Sequence, residues 1–157
     1  MNKIPEPNAL NDVAEFHTTF ELPIVKAPEI PSAKRCALRV NLLQEELNEL
    51  KEAIEQNDLV EVADALCDIQ YVLSGAILEF GLQEKFKSLF DEVHRSNMSK
   101  TCKTIEIAKA TQAHYAAKDG TDSNIVKRGS EFIVYREADG KVLKSVEYSP
   151  ADLNSLI

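Results

Sequence analysis

The chain lacks the cysteine pattern of a disulfide framework or a zinc site. Its three cysteines, Cys36, Cys67 and Cys102, are odd in number, widely spaced and without a C-x-x-C pair. That absence suits a reducing compartment, so a cytoplasmic protein is expected. Low-complexity tracts and internal repeats are also missing, which points away from disorder. The opening Met-Asn-Lys-Ile-Pro-Glu-Pro has neither the apolar stretch nor the small-residue cleavage site of an export signal. No clean long hydrophobic run occurs. Leu59 to Phe80 comes nearest, but its first half carries three carboxylates, each costing roughly 3 kcal/mol at bilayer depth. A membrane span is therefore not expected. Positive charge is scarce: 18 Lys and Arg face 26 Asp and Glu, for a net charge of −8. Such a balance opposes attraction to a nucleic-acid polymer or an anionic membrane, and a polyanionic substrate would need a bound cation.

Apolar residues at 44% and charged residues at 28% of a 157-residue chain describe a globular protein with a real core. We expect a single domain over residues 1–157, with a helical core over about 8–100 and an appendage over about 101–157. Helical spacing of Leu10, Val13 and Phe16 or Phe20 predicts a short helix from Asn8 to about Phe20, with Asn8 or Asn11 as its cap. Three prolines between residues 23 and 31 predict a loop. Ser32 then caps a long helix to about Gln56, whose main buried stripe is Cys36, Val40, Leu43, Leu47, Leu50 and Ile54. Asp58-x-x-Glu61 starts a third helix that Gly81 stops, and the short connection makes the pair antiparallel neighbours. A fourth, about Leu82 to Ser96, presents Phe86, Leu89, Phe90 and Val93 to the core. Thr104 can cap a fifth reaching about Lys118. Beyond it, Glu131–Arg136 and Lys141–Val146 flank Asp139-Gly140 as a β-hairpin, and Ser149-Pro150 opens a final short helix. The fold class is thus all-α, a four-helix-bundle-like core with a C-terminal hairpin.

The chemistry concentrates in acidic residues. At about 100° per residue, Glu61, Asp64 and Asp68 fall within roughly 60° of one another on a helix that is otherwise almost wholly apolar. A helix apolar all round is normally buried, which would carry these carboxylates inward. Unpaired buried carboxylates are costly, so they must be neutralised, paired or bound to a metal. Between Lys51 and Lys85 there is no Lys, Arg or His to pair with them. On the preceding helix Glu46 and Glu49 share a second apolar side with Leu38, Leu42 and Ala53. Antiparallel packing would bring Glu46, Glu49, Glu61 and Asp64 to one site, and four oxygen ligands without histidine or thiolate favour Mg²⁺, or Mn²⁺ in its place. The ordinary alternative, a solvated face, suits Glu52 and Glu55 better. After the fourth helix, Val93-His-Arg-Ser-Asn-Met-Ser-Lys100 collects Arg95, Asn97 and Lys100, donors that suit a substrate phosphate or sugar. Arg95 also suits a helix C-terminus on dipole grounds alone.

Glu45-Glu46-Leu47-Asn48-Glu49 followed, after eleven residues, by Glu61-Val62-Ala63-Asp64 resembles the E-E-x-x-E and E-x-x-D pair of the MazG-like all-α nucleoside triphosphate pyrophosphohydrolase superfamily. The likeness is nearest to its phosphoribosyl-ATP pyrophosphohydrolase-like branch. It runs from about Asp12 to Lys100 and returns at Asp139–Lys144. The resemblance implies Mg²⁺ held by Glu46, Glu49, Glu61 and Asp64, and hydrolysis of a nucleotide α–β phosphoanhydride to monophosphate and pyrophosphate. Glu45 is then the residue to orient or deprotonate the attacking water, and Asp68 a ligand of a second metal or a support for the first. Residues 101–127 look like an insertion. Phe16, Phe20 or Tyr71 could stack on a base. A homodimer or dimer of dimers is usual in the family, and an apolar third helix needs covering. Three other readings remain open: phosphoribosyl-ATP as substrate, a non-catalytic nucleotide-binding or interaction protein, and a di-metal oxidase, for which only Asp91-x-x-His94 approaches the required motif.

Overall fold

In the computed structural model, residues 4–157 are described; Met1, Asn2 and Lys3, part of the segment read above for an export signal, lie outside them. The chain forms two compact units, Met1–Phe86 and Lys87–Ile157. The elements are all-α apart from a small carboxyl-terminal hairpin. Among the described residues no helix is long and apolar enough to cross a membrane.

The first unit is three helices: α1 (Ala9–Thr19), α2 (Ala33–Glu55) and α3 (Leu59–Glu79), with α1 and α2 both packed on α3. Asn8 occupies the cap position of α1, but its side chain bonds Asn11 and Asp12 instead of the helix backbone. Ser32 caps α2 through the Arg35 N–H. Asp58 caps α3 by accepting from the N–H groups of Val60 and Glu61 at 3.0 and 3.2 Å. Gly81 ends α3 with φ +67°, and a Cβ there would stand 2.1 Å from the Ala27 carbonyl oxygen. The proline loop is tied to that end by Val25 N–H to Leu78 O, 3.0 Å, and Glu29 N–H to Phe80 O, 3.2 Å.

Burial departs from the sequence reading in three places. On α1 the buried pair is Val13 and His17, while Phe16 and Phe20 are exposed. On α2, Val40, Leu47 and Ile54 of the expected stripe are exposed, at 65%, 53% and 61%. The inward line instead runs through Arg35, Arg39, Leu42, Glu46, Leu50 and Ala53. Two guanidiniums head it, so a hydropathy pattern points to the wrong side. On α3 burial concentrates in the second half, through Ser74, Gly75, Ile77, Leu78 and Glu79; in the first half Ala65 is buried, and Leu59, Val60 and Leu66 face out.

The second unit begins with α4 (Phe86–Met98) and α5 (Ile105–Asp119), the latter capped by Thr104 and stopped by Gly120. On α4, Leu89 and Ser96 are buried and Phe90 is 62% exposed, against the expected apolar face. The hairpin is also not the one anticipated. Ser123–Arg128 (β1) pairs antiparallel with Glu131–Arg136 (β2) across a Gly129-Ser130 turn. Asp139-Gly140 does turn the chain back, but Lys141–Val146 forms only an isolated bridge, Val142 to Tyr135, with Leu143 N–H donating to Val134 O at 2.9 Å. Cys102 bridges Phe132 on that same flank. The segment read as an insertion thus supplies β1 and α5, which close a core of Cys102, Ala108, Val134 and Leu143. No terminal helix follows Pro150; residues 154–156 form a turn.

Candidate active site

Two polar layers cross the α2/α3 interface. The first lies where α2 begins and α3 ends. Glu79, only 1% exposed, accepts from Arg35 Nε and Arg39 Nε, each at 2.9 Å, and from both Nη2 groups. Burial opposes ionisation of Glu79, yet the bonds from Arg35 and Arg39 prevail and hold its pKa below the usual carboxylate value. His17 joins from α1. Its Nδ1 is 2.8 Å from the Pro23 carbonyl oxygen, which can only accept, so the proton sits on Nδ1 and Nε2 accepts from Arg39 at 3.2 Å. Burial first, and Arg39 beside it, lower the pKa of His17 and keep the ring neutral. Gly75 is what lets these groups meet: a Cβ there would stand 2.7 Å from Arg39 Nη1.

The pairing of Arg35 with Glu79 at one end and the short turn at the other fix α2 and α3 antiparallel. Counting inward, Glu46 is eleven residues beyond Arg35, and Asp68 is eleven before Glu79. At about 3.6 residues per turn both have advanced close to three full turns, so they lie level and on the same inward line. Glu49 and Asp64 follow one turn further along. Glu46 is half-buried and Asp68 likewise, whereas Glu45, Glu49, Glu61 and Asp64 are exposed in the single chain. The expected deep burial of Glu61 and Asp64 is therefore not found: in this half of α3 it is Ala65 that turns inward, while Glu61 and Asp64 lie on the exposed side.

The electrostatics of this second layer oppose those of the first. The Glu46 carboxyl is pushed up, by burial first and then by Glu49, Asp68, Glu45 and Asp64. Glu61 is not among these contributors; it sits in the first turn of α3 beside its cap. No Lys, Arg or His pairs with any of the six carboxylates among the described residues. Nor, among the described residues, are three such side chains gathered closely enough to chelate an ion. Beside the layer, one turn back along α2 and one turn on along α3, Leu42 and Val72 open a mostly apolar cavity of about 300 Å³. Phe16 and Tyr71 meet edge to face at its wall, 5.5 Å between centroids.

Of the second-unit candidates, Arg95 is engaged within its own unit. It grips Glu92 through Nε and Nη2 at 2.7 and 2.8 Å and donates to Pro150 O. Glu92, its pKa lowered to about 2 by Arg95 and the Asp152 N–H, anchors the carboxyl-terminal segment. Lys100 reaches the Asn97 side-chain oxygen at 2.8 Å. The residues that sequence reasoning missed are Arg35, Arg39, Glu79 and His17. The signal was present as two arginines four apart on α2, and a glutamate in the apolar half of α3 with no cation on its own helix.

An ion-paired layer and a carboxylate layer without basic partners among the described residues, on one pair of packed helices, define the site of an otherwise all-α protein. Residues 13–97, more than half the chain, match the family model for phosphoribosyl-ATP pyrophosphohydrolase. The chain belongs to that family, within the MazG-like all-α superfamily, and with it goes pyrophosphohydrolase-type activity on nucleotides. An uncharacterized protein, L479, of Acanthamoeba polyphaga mimivirus is 24% identical over an alignment of 237 positions, taking in 92% of this chain and 94% of the relative. The alignment exceeds the chain's 157 residues, so the relative carries insertions.

Proposed function

We propose that the chain is a Mg²⁺-dependent hydrolase of the α–β phosphoanhydride in (deoxy)nucleoside triphosphates, releasing monophosphate and pyrophosphate. The observation that carries this is the contrast between two layers of one helix pair. Glu79 is neutralised by two arginines, while Glu46 is pressed by four carboxylates and given no cation. An all-oxygen donor set of this charge suits Mg²⁺ or Mn²⁺. Glu46, Glu49, Glu61 and Asp64 would hold the ion. Once bound, it would offset phosphate charge, polarise the attacked phosphorus and lower the pKa of a coordinated water. Glu45, on the exposed flank of Glu46, orients or deprotonates the attacking water, and Asp68 holds a second ion or positions Glu46. The cavity bounded by Phe16 and Tyr71 offers an apolar recess to a base, and Asn97 and Lys100 are the phosphate or sugar ligands. Arg95 serves chiefly to dock the chain terminus. The family's name favours phosphoribosyl-ATP as the alternative substrate, cleaved at the same kind of bond.

The test is a panel of NTPs, dNTPs and phosphoribosyl-ATP with Mg²⁺ or Mn²⁺, monitored for pyrophosphate against orthophosphate. Turnover to pyrophosphate that is lost in Glu46→Gln and Asp64→Ala is the expected result. Because Glu46 has a raised pKa in the fold, its ionised form weakens the metal-free protein at neutral pH. Glu46→Gln should therefore raise the melting temperature in EDTA, and the gain should vanish as pH falls and the native carboxyl protonates. Nucleotide binding without cleavage in either metal would instead make this a non-catalytic relative.

A further inference from the structure

In the second unit, Arg136, Lys141 and Lys144, together with Lys100, line one cavity of about 350 Å³. Tyr115, Val142 and Leu143 complete its wall, and no carboxylate lines it. The volume falls within the range of about 300–1,000 Å³ typical of small-molecule sites. In a chain of net charge −8, gathering four cations around one concavity is the converse of the acidic layer. Of the four, Arg136 alone is ion-paired among the described residues, held by Asp139 through two bonds of 2.8 and 2.5 Å, while Lys100 donates to the neutral Asn97 side chain.

The lysines are carried on a fixed frame. Asp139 also accepts from the Lys141 N–H at 3.1 Å, closing the turn that sends the chain back along β2. Leu143, 6% exposed, plugs the core between Lys141 and Lys144, so the two side chains leave a backbone that is anchored. Lys144 Nζ stands 4.4 Å over the Tyr148 ring, and the Tyr148 hydroxyl is 3.0 Å from the buried Ser96 Oγ. That bond first, and then Lys144 and Lys100, lower the pKa of Tyr148. The field here therefore stabilises negative charge.

We propose that this cavity is a site for a polyphosphate chain, with Lys141 and Lys144 as its principal cationic ligands and Arg136 and Lys100 at its sides. Small size, several charges and many acceptor oxygens are what four clustered donors select. The proposal rests on the nucleotide reading above, and two sources share this chemistry: the phosphate tail of the substrate, or the pyrophosphate released.

Titration calorimetry of the full chain with sodium pyrophosphate in EDTA and low salt tests the site directly, since without metal the acidic layer repels the probe. Lys141→Gln/Lys144→Gln should weaken binding at least about tenfold, while Lys109→Gln, which removes an exposed charge on α5, should change it less than about twofold. Both cavity lysines are exposed, so the melting temperature should hold, and each single variant provides an independent check. In Mg²⁺ assays a raised KM at unchanged kcat assigns the site to the substrate tail, and weaker product inhibition at unchanged KM assigns it to pyrophosphate. Binding weaker than millimolar in the native chain, or equal loss in the cavity and Lys109 variants, would overturn the proposal. Lysine-dependent binding in a chain that cleaves no nucleotide would leave the cavity standing and sink the hydrolase reading. Cleavage with lysine-independent binding would do the reverse.

Discussion

His17 and Glu46 show how differently one fold treats ionisable groups lying close to the same helix interface. His17 is held neutral by burial and by Arg39, so its folded pKa lies below the unfolded value of about 6.5. A base with a depressed pKa contributes stability that is complete above the unfolded value and is lost as pH falls through the window toward the folded one. Urea unfolding between pH 5.5 and 7.5 should show that decline in the native chain and a shallower one in His17→Gln. An equal slope in both would place the pH sensitivity elsewhere. That Glu45, Glu49, Asp64 and Asp68 would lie near Glu46 was legible residue by residue, because they share helical spacing on two adjacent helices. His17, Arg35, Arg39 and Glu79 were not, because their partners come from three helices and each looks like a surface residue on its own.

At the level of elements, the caps at Ser32, Asp58 and Thr104 and the stop at Gly81 followed from local chemistry, whereas Asn8 makes no side-chain cap, α4 begins at Phe86 and no helix forms after Pro150. What local pattern did not reveal was which side of α2 turns inward, since two guanidiniums occupy the buried line. The same blindness misassigned the hairpin, for Glu131–Arg136 has two suitable neighbours and only tertiary packing chooses Ser123–Arg128. Close approach of α2 to α3 depends on Gly75, where a Cβ would meet Arg39 and His17 Nε2 at 2.7 and 3.1 Å. Arg39 is pinned by Glu79 and has little room to yield. Gly75→Ala should therefore cost about 1–3 kcal/mol in chemical denaturation, as overpacking does, despite alanine's better helix propensity. Restoration by a second change, Arg39→Lys, would identify that contact as the cause.

For the whole molecule, the unresolved demand is apolar surface. Val40, Leu47 and Ile54 recur at seven-residue intervals along the outside of α2, and Leu59 and Val60 stand 79% and 75% exposed on α3. A seam of this spacing suits a second helix pair, and we propose that another copy of the chain covers it, as a homodimer or dimer of dimers. Light scattering should report a dimer or larger for the native chain and a monomer for Leu47→Lys/Ile54→Lys. A native monomer at micromolar concentration would refute the assembly.

The salt-bridged end of the helix pair carries one more implication, for how the gene can change. Arg35 and Glu79 act as an index mark from which both halves of the acidic layer are measured by an equal count of residues. Insertions or deletions between that mark and either motif would rotate one carboxylate row away from the other. Residues added at the Asn57 turn would leave both counts intact. Tolerance to changes in length should therefore be confined to the hinge side of the motifs, and a library of single-residue indels along α2 and α3 would map it.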